Sequence, residues 1–120
     1  MKQRSPAARL ADILDSVHHV RAVMEGVSLE RLTDDWRVRW VVERGIEIIS
    51  EASKHLPEEM KARHPDIPWR QVAGIGNILR HEYQRTAPDV LWHVIQDDLA
   101  PLEQACRAEL AAEQAREGNQ

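Results

Sequence analysis

The apolar positions of this chain fall into helical rhythm almost from end to end. Leu10, Ile13, Leu14, Val17, Val20 and Met24 recur at three- and four-residue steps behind Ser5 and Pro6, a capping residue and a first-turn proline. They predict a helix to about Glu25, ended by Gly26. Ser28 caps a short helical turn, and Thr33-Asp34-Asp35 supplies caps for a longer helix with Val38, Val41, Val42, Gly45, Ile48, Ile49, Ala52 and Leu56 as its apolar stripe. Gly45 predicts a close approach by another helix, and Pro57 a stop. Pro57 to His64 reads as a short helix, acidic at its start and basic at its end, which suits the macrodipole. Pro65 closes that piece. Asp66-Ile67-Pro68 opens a helix whose stripe is Val72, Ile75, Ile78 and Leu79. Thr86-Ala87-Pro88-Asp89 has the form of a capping box, and a last helix follows with Val90, Leu91, Val94, Ile95, Leu99, Leu102, Cys106 and Leu110. Pro101 predicts a kink there, because its ring clashes with the carbonyl four residues back. From about 112 to 120 the sequence turns polar and predicts a frayed tail.

No internal repeat is present, and no alternation of period two is strong enough to suggest a sheet. Four long helical segments with short connections predict an all-α fold, an up-and-down bundle of four to five helices forming a single domain over residues 1–120. The chain has no Phe, so Trp36, Trp40, Trp69 and Trp92 are expected to supply much of the bulky packing. Trp36 and Trp40 stand one turn apart on a face partly distinct from the apolar stripe. That leaves two readings open: they complete the core, or they form an exposed contact for a second copy of the chain.

Composition narrows the function classes. No apolar run approaches the length of a bilayer crossing, and the start Met1-Lys2-Gln3-Arg4-Ser5-Pro6 leads into an amphipathic helix and lacks the apolar stretch of a secretory signal. The expected location is therefore the cytoplasm, without membrane attachment. Cys106 is the only cysteine, which leaves no internal disulfide and no Cys-based zinc site, and it is expected on a helix face as a small apolar residue. The formal net charge of -4 argues against broad, charge-driven nucleic-acid binding. A local basic patch survives that argument, since Arg70, Arg80 and Arg85 fall within one short stretch and are candidate phosphate- or RNA-binding residues.

The candidate chemistry lies in the same stretch. His18 and His19 are adjacent and point about 100° apart on a helix, and no pair of histidines has the four-residue spacing around a Glu that a zinc protease uses. No metal site is expected. There is no Gly-x-Ser-x-Gly elbow and no Walker loop, and Gly74-Ile75-Gly76 follows no strand. His81 is the candidate general acid–base, since imidazole ordinarily titrates near neutrality. Asn77 lies one turn before it and Arg85 one turn after, with Arg80 and Tyr83 flanking. Cleaving a phosphodiester through a 2′-hydroxyl needs a proton acceptor, a proton donor and a cation for the developing phosphorane charge, and His and Arg meet these needs without metal.

Three blocks, Val42-Glu43-Arg44-Gly45-Ile46-Glu47-Ile48-Ile49-Ser50-Glu51-Ala52, Ile67-Pro68-Trp69 and Gly76-Asn77-Ile78-Leu79-Arg80-His81-Glu82-Tyr83, resemble the HepT-like branch of the HEPN superfamily in order and spacing. The resemblance covers nearly the whole chain. It implies an all-α homodimer with the motif helices meeting at the interface, and a metal-independent, cofactor-free endoribonuclease serving as the toxin of a toxin–antitoxin pair. The implied antitoxin is a small MNT-type nucleotidyltransferase that modifies the motif tyrosine, here Tyr83, with AMP. His81, Arg80 and Asn77 take the catalytic positions. The family motif usually carries Arg where this chain has Gly76. Two readings follow: Arg80, one turn on, leans back to supply the missing cation, or the chain is a catalytically inactive HEPN dimer that serves as a binding partner for the nucleotidyltransferase.

Overall fold

The helix starts are made locally, by the side chains that the pattern picks out. Ser5 Oγ accepts from the Ala8 N–H at 3.2 Å, Ser28 Oγ from the Arg31 N–H at 3.1 Å, and Asp35 Oδ1 from the Arg37 N–H at 3.1 Å. A computed structural model describes residues 5–81 and 87–118. Its helices are α1 (Pro6–Met24), α2 (Leu29–Asp34), α3 (Trp36–Lys54), α4 (Glu58–Ala62), α5 (Trp69–His81), α6 (Ala87–His93) and α7 (Leu99–Gly118). A π-helical segment, Val94–Asp98, joins the last two. Gly26 turns the chain out of α1 with φ +72°, the left-handed conformation that glycine adopts without a Cβ penalty. The Thr86 half of the expected capping box lies outside the described residues.

The architecture is an all-helical bundle. α3 packs between α1 and α5, and α7 lies along α1. One continuous core runs through them, with Leu10, Val17, Val20, Leu32, Val42, Ile49, Leu79, Leu91 and Leu99 essentially sealed from solvent. Cys106 joins that core, where burial pushes its thiol up to about 12. α3 and α5 are antiparallel: α6, which soon follows α5, packs against α2, which immediately precedes α3. Among the described residues no helix is long and apolar enough to cross a membrane.

Gly45 is where α1 and α3 approach most tightly. A Cβ there would stand 2.5 Å from Val20 Cγ2, and Val20 is fully buried and β-branched, so it has no rotamer to retreat into. Gly45→Ala is therefore expected to destabilise the fold by about 1–2 kcal/mol, the cost of overpacking exceeding alanine's helix-propensity advantage. Adding Val20→Ala should return part of that loss in a thermal melt, which a clash elsewhere would not allow.

Three expectations are corrected. Trp36 and Trp40 do not fill the core; they are 53% and 56% exposed, edge to face with ring centroids 5.0 Å apart, while Trp69 and Trp92 are half-buried against it. Val41, placed in the apolar stripe, is also exposed, because the arc of α3 that meets α1 passes through Gly45 rather than Val41. Residues 112–118 remain helical in α7, where alanines and an Arg116–Glu113 pair favour continuation. The disturbance expected from Pro101 takes the form of the π segment. There the Leu99 N–H reaches back five residues to the Val94 carbonyl, and Val94 and Leu99, five apart in sequence, are both buried.

The connection that sets the start of α5 is anchored at both ends. Trp69 Nε1 donates to the carbonyls of Lys61 and His64 at 3.0 Å each. Arg63 and His64 reach across to Glu109 of α7, with Arg63 Nη2 2.6 Å from Oε1, Arg63 Nε 3.1 Å from Oε2 and His64 Nε2 2.7 Å from Oε2.

A candidate active face on the fifth helix

One hydroxyl on α3 bonds the middle of helix α5. Ser50 Oγ on α3 donates to the Ala73 carbonyl at 2.8 Å and accepts from the Gly76 N–H at 3.2 Å. That contact turns Val72, Ile75, Gly76 and Leu79 inward and leaves Arg70, Asn77, Arg80 and His81 exposed on the opposite side. Ile78, also expected inside, is half-buried. A helix advances about 100° per residue, so Arg70, Asn77 and His81 fall within a narrow arc, with Arg80 on its edge nearest α3. The three predicted catalytic side chains thus share one surface. Tyr83 and Arg85 lie outside the described residues.

Gly76 does not open an empty space. A Cβ on it would stand 3.2 Å from Ser50 Oγ and 3.5 Å from Arg80 Nη1. The Arg80 guanidinium is folded back over the glycine, in the direction that helical side chains lean. An arginine at position 76 would therefore press on Ser50, which would have to give.

Charge pairing distinguishes the arginines of this surface from most cations among the described residues. Most cations there face a carboxylate, as Arg21 faces Glu103, Arg39 faces Glu43 at 3.6 Å and Arg107 faces Glu103 at 2.9 Å. Among the described residues Arg70 and Arg80 face none. Two guanidinium groups with no carboxylate partner among the described residues are free to meet an anion on a net acidic chain. No group of three or more His, Cys, Asp or Glu side chains among the described residues is arranged to hold a metal ion.

The antiparallel packing puts this surface beside the two exposed tryptophans. In antiparallel neighbours, equal rotation away from the mutual contact leads to the same side of the pair. Trp40 and Arg44 on α3 are turned from Ser50 in the same sense as Asn77 and His81 from Gly76, and Arg37 stands over the Trp36 ring at 5.6 Å. Sequence reasoning missed Glu43. It lies seven residues before Ser50, on the arc of α3 that faces α5, and it is buried, with desolvation pushing its carboxyl above the usual range. The only sequence signal was its spacing of seven residues, about two turns, from Ser50, which sets both on one arc.

Residues 13–109 match the family model described as Ribonuclease HepT-like. A Thermococcus cleftensis protein named "Probable ribonuclease HepT" is 33% identical over 100 residues, covering 83% of this chain and 91% of its own length. A Methanocaldococcus jannaschii protein named "Putative RNase MJ1380" is 30% identical over 99 residues, 82% of this chain and 91% of that one. A Caldanaerobacter subterraneus protein named "Putative RNase TTE0752" is 30% identical over 110 residues, 92% and 98% of the two chains. No solved structure matches.

Proposed function

From the premise that the chain belongs to the ribonuclease HepT-like family, an RNase family of the HEPN type, we propose that it is a metal-independent endoribonuclease working from the exposed face of α5. His81 takes the proton of a 2′-hydroxyl as that oxygen attacks the adjacent phosphorus. The bond to the 5′-oxygen breaks, that oxygen leaves with a proton, and a 2′,3′-cyclic phosphate and a 5′-hydroxyl result. Arg80 stabilises the charge that builds on the phosphorane oxygens, and Asn77 orients His81 or the substrate. The observation that carries this reading is Arg80, unpaired among the described residues and folded over Gly76 beside His81.

One protomer offers one such histidine, whereas acid and base act on opposite sides of the phosphorus. A homodimer with its two α5 helices near the two-fold axis supplies the second. The exposed Trp36 and Trp40 on the same side support that face as the contact. In this reading the enzyme is a toxin, restrained by an MNT-type nucleotidyltransferase that transfers AMP to Tyr83. The competing reading, an inactive dimer serving only as a partner of that nucleotidyltransferase, rests on Gly76 standing where the family motif has a cation.

Cleavage of single-stranded RNA in EDTA by the purified chain decides between them. Arg80→Ala is expected to reduce the rate by about 100-fold, the usual loss of one transition-state charge donor. Gly76→Arg should leave the rate flat or lower it, since the new side chain competes with Arg80 and presses on Ser50. Activity gained by Gly76→Arg, with Arg80→Ala silent, establishes the lapsed enzyme instead. A monomer by sedimentation at micromolar concentration removes the dimer from the reading.

A further inference from the structure

The outer surface of α5 continues past the proposed reaction centre toward the helix start. A cleft of about 520 Å³ opens there between α4 and α5, lined by Glu58, Lys61, Ala62, Pro65, Trp69, Arg70 and Ala73. Its walls have contrasting chemistry. Pro65, Ala62 and the half-buried Trp69 present apolar surface, and Trp69 is fixed by its two indole hydrogen bonds to the α4–α5 connection. Lys61 is held by Glu58 at 3.0 Å, so its charge is met within the protein. Arg70 is exposed and, among the described residues, faces no carboxylate. Arg70, Ala73 and Asn77 form one stripe at three- and four-residue spacing, and ten residues of helix put Arg70 about 15 Å from Arg80 along the axis. The two cations of α5 that face no carboxylate among the described residues thus mark two anion positions, about 80° apart around the helix, with a cleft of mixed polarity beside the more distant one.

We propose that this cleft is a distal subsite for single-stranded RNA, in which Arg70 holds a backbone phosphate some nucleotides away from the scissile one and the Trp69–Pro65 wall takes the neighbouring nucleoside. The proposal rests on the endoribonuclease reading and adds substrate length to it: the enzyme requires a strand long enough to run from His81 to Arg70. A folded duplex is too stiff to follow the groove into the cleft, so unpaired segments are favoured. Apolar and aromatic surface accepts any base face, so the subsite selects for strand length and unpaired character rather than for sequence.

The test uses the full chain carrying His81→Ala, so that RNA is bound without being cut, and a fluorescent single-stranded 12-mer titrated at several salt concentrations. Arg70→Ala is expected to weaken binding several-fold and to lower the slope of log affinity against log salt by about 0.7, the signature of one lost single-strand phosphate contact. Arg107→Ala, whose guanidinium is occupied by Glu103, should change neither quantity. In chains that retain His81, Arg70→Ala should raise KM for the 12-mer several-fold with kcat unchanged, and leave cleavage of a dinucleotide untouched. If the chain cleaves RNA but Arg70→Ala leaves affinity and salt slope as they were, or weakens dinucleotide and 12-mer equally, the subsite is overturned while the nuclease reading stands. If the chain with His81 intact neither cuts nor binds RNA, both readings fall together.

Discussion

His81→Ala is expected to lower RNA cleavage on the order of 1,000-fold, within the range that a positioned general acid–base contributes, while leaving the fold intact. The second half of that expectation follows from geometry. His81 is exposed, and among the described residues it donates and accepts no side-chain hydrogen bond, so its removal opens no cavity and strands no partner there. Stability should move by no more than about 0.5 kcal/mol. The pairing of a lost rate with an unchanged melt separates a reaction role from a structural one. Retained cleavage by a clean His81→Ala preparation would remove His81 from the mechanism, and with it the assignment of the α5 face.

The second large effect is on stability and its dependence on pH. Glu109 is the anchor that ties the α4–α5 connection to α7, and it is buried. The Arg63 hydrogen bonds, with His64 adding to them, hold its carboxyl down to about 2 against an ordinary 4.5. A carboxylate held below its unfolded value stabilises the native state fully above that unfolded value. The contribution drains away as the pH falls from near 4.5 through about 2. Glu109→Gln keeps the volume but loses the charge, and should cost about 2 kcal/mol at neutral pH. The figure is reduced from that of a sealed pair because Arg63 is half-exposed to water. That is a fall of roughly 8 °C in melting temperature for a chain of this size. The variant's stability should also be flatter than the parent's between pH 4.5 and 2. A parent and variant with parallel stability curves across that interval would show that the anchor carries no charge-dependent stability.

What was legible in the sequence divides along a physical line. Helix starts were legible because capping is local: Ser5, Ser28 and Asp35 each satisfy a backbone donor two or three residues away. The outward arc of Asn77 and His81 was legible for the same reason, since helical period alone sets it. The Glu109 anchor was not, because 46 positions separate it from Arg63 and no local pattern encodes which distant helix a carboxylate will meet. The exposure of Trp36 and Trp40 was left undecided, as one of two readings. Hydrophobicity marks them for burial, and only the placement of α5 against the Ser50 arc decides that they stay outside. The role of Gly76 fell in between: the departure from the family motif is plain in the chain, but the hydroxyl of Ser50 pressed beneath it is not.

The π-helical segment before Pro101 gives the final rod a property of its own. By spending five residues where four would serve, it resets the phase of everything beyond it by about one residue, roughly 100° of rotation. Leu99, Leu102, Cys106 and Glu109 therefore face inward only in the reset frame. A one-residue deletion within 94–98 would restore ordinary helix locally and satisfy every backbone bond nearby. Its damage would surface about 15 Å away, where Glu109 would swing off Arg63 and the α4–α5 connection would lose its tether. Length in this short stretch is thus constrained from a distance, and descendants of this chain should tolerate substitutions there more readily than insertions or deletions.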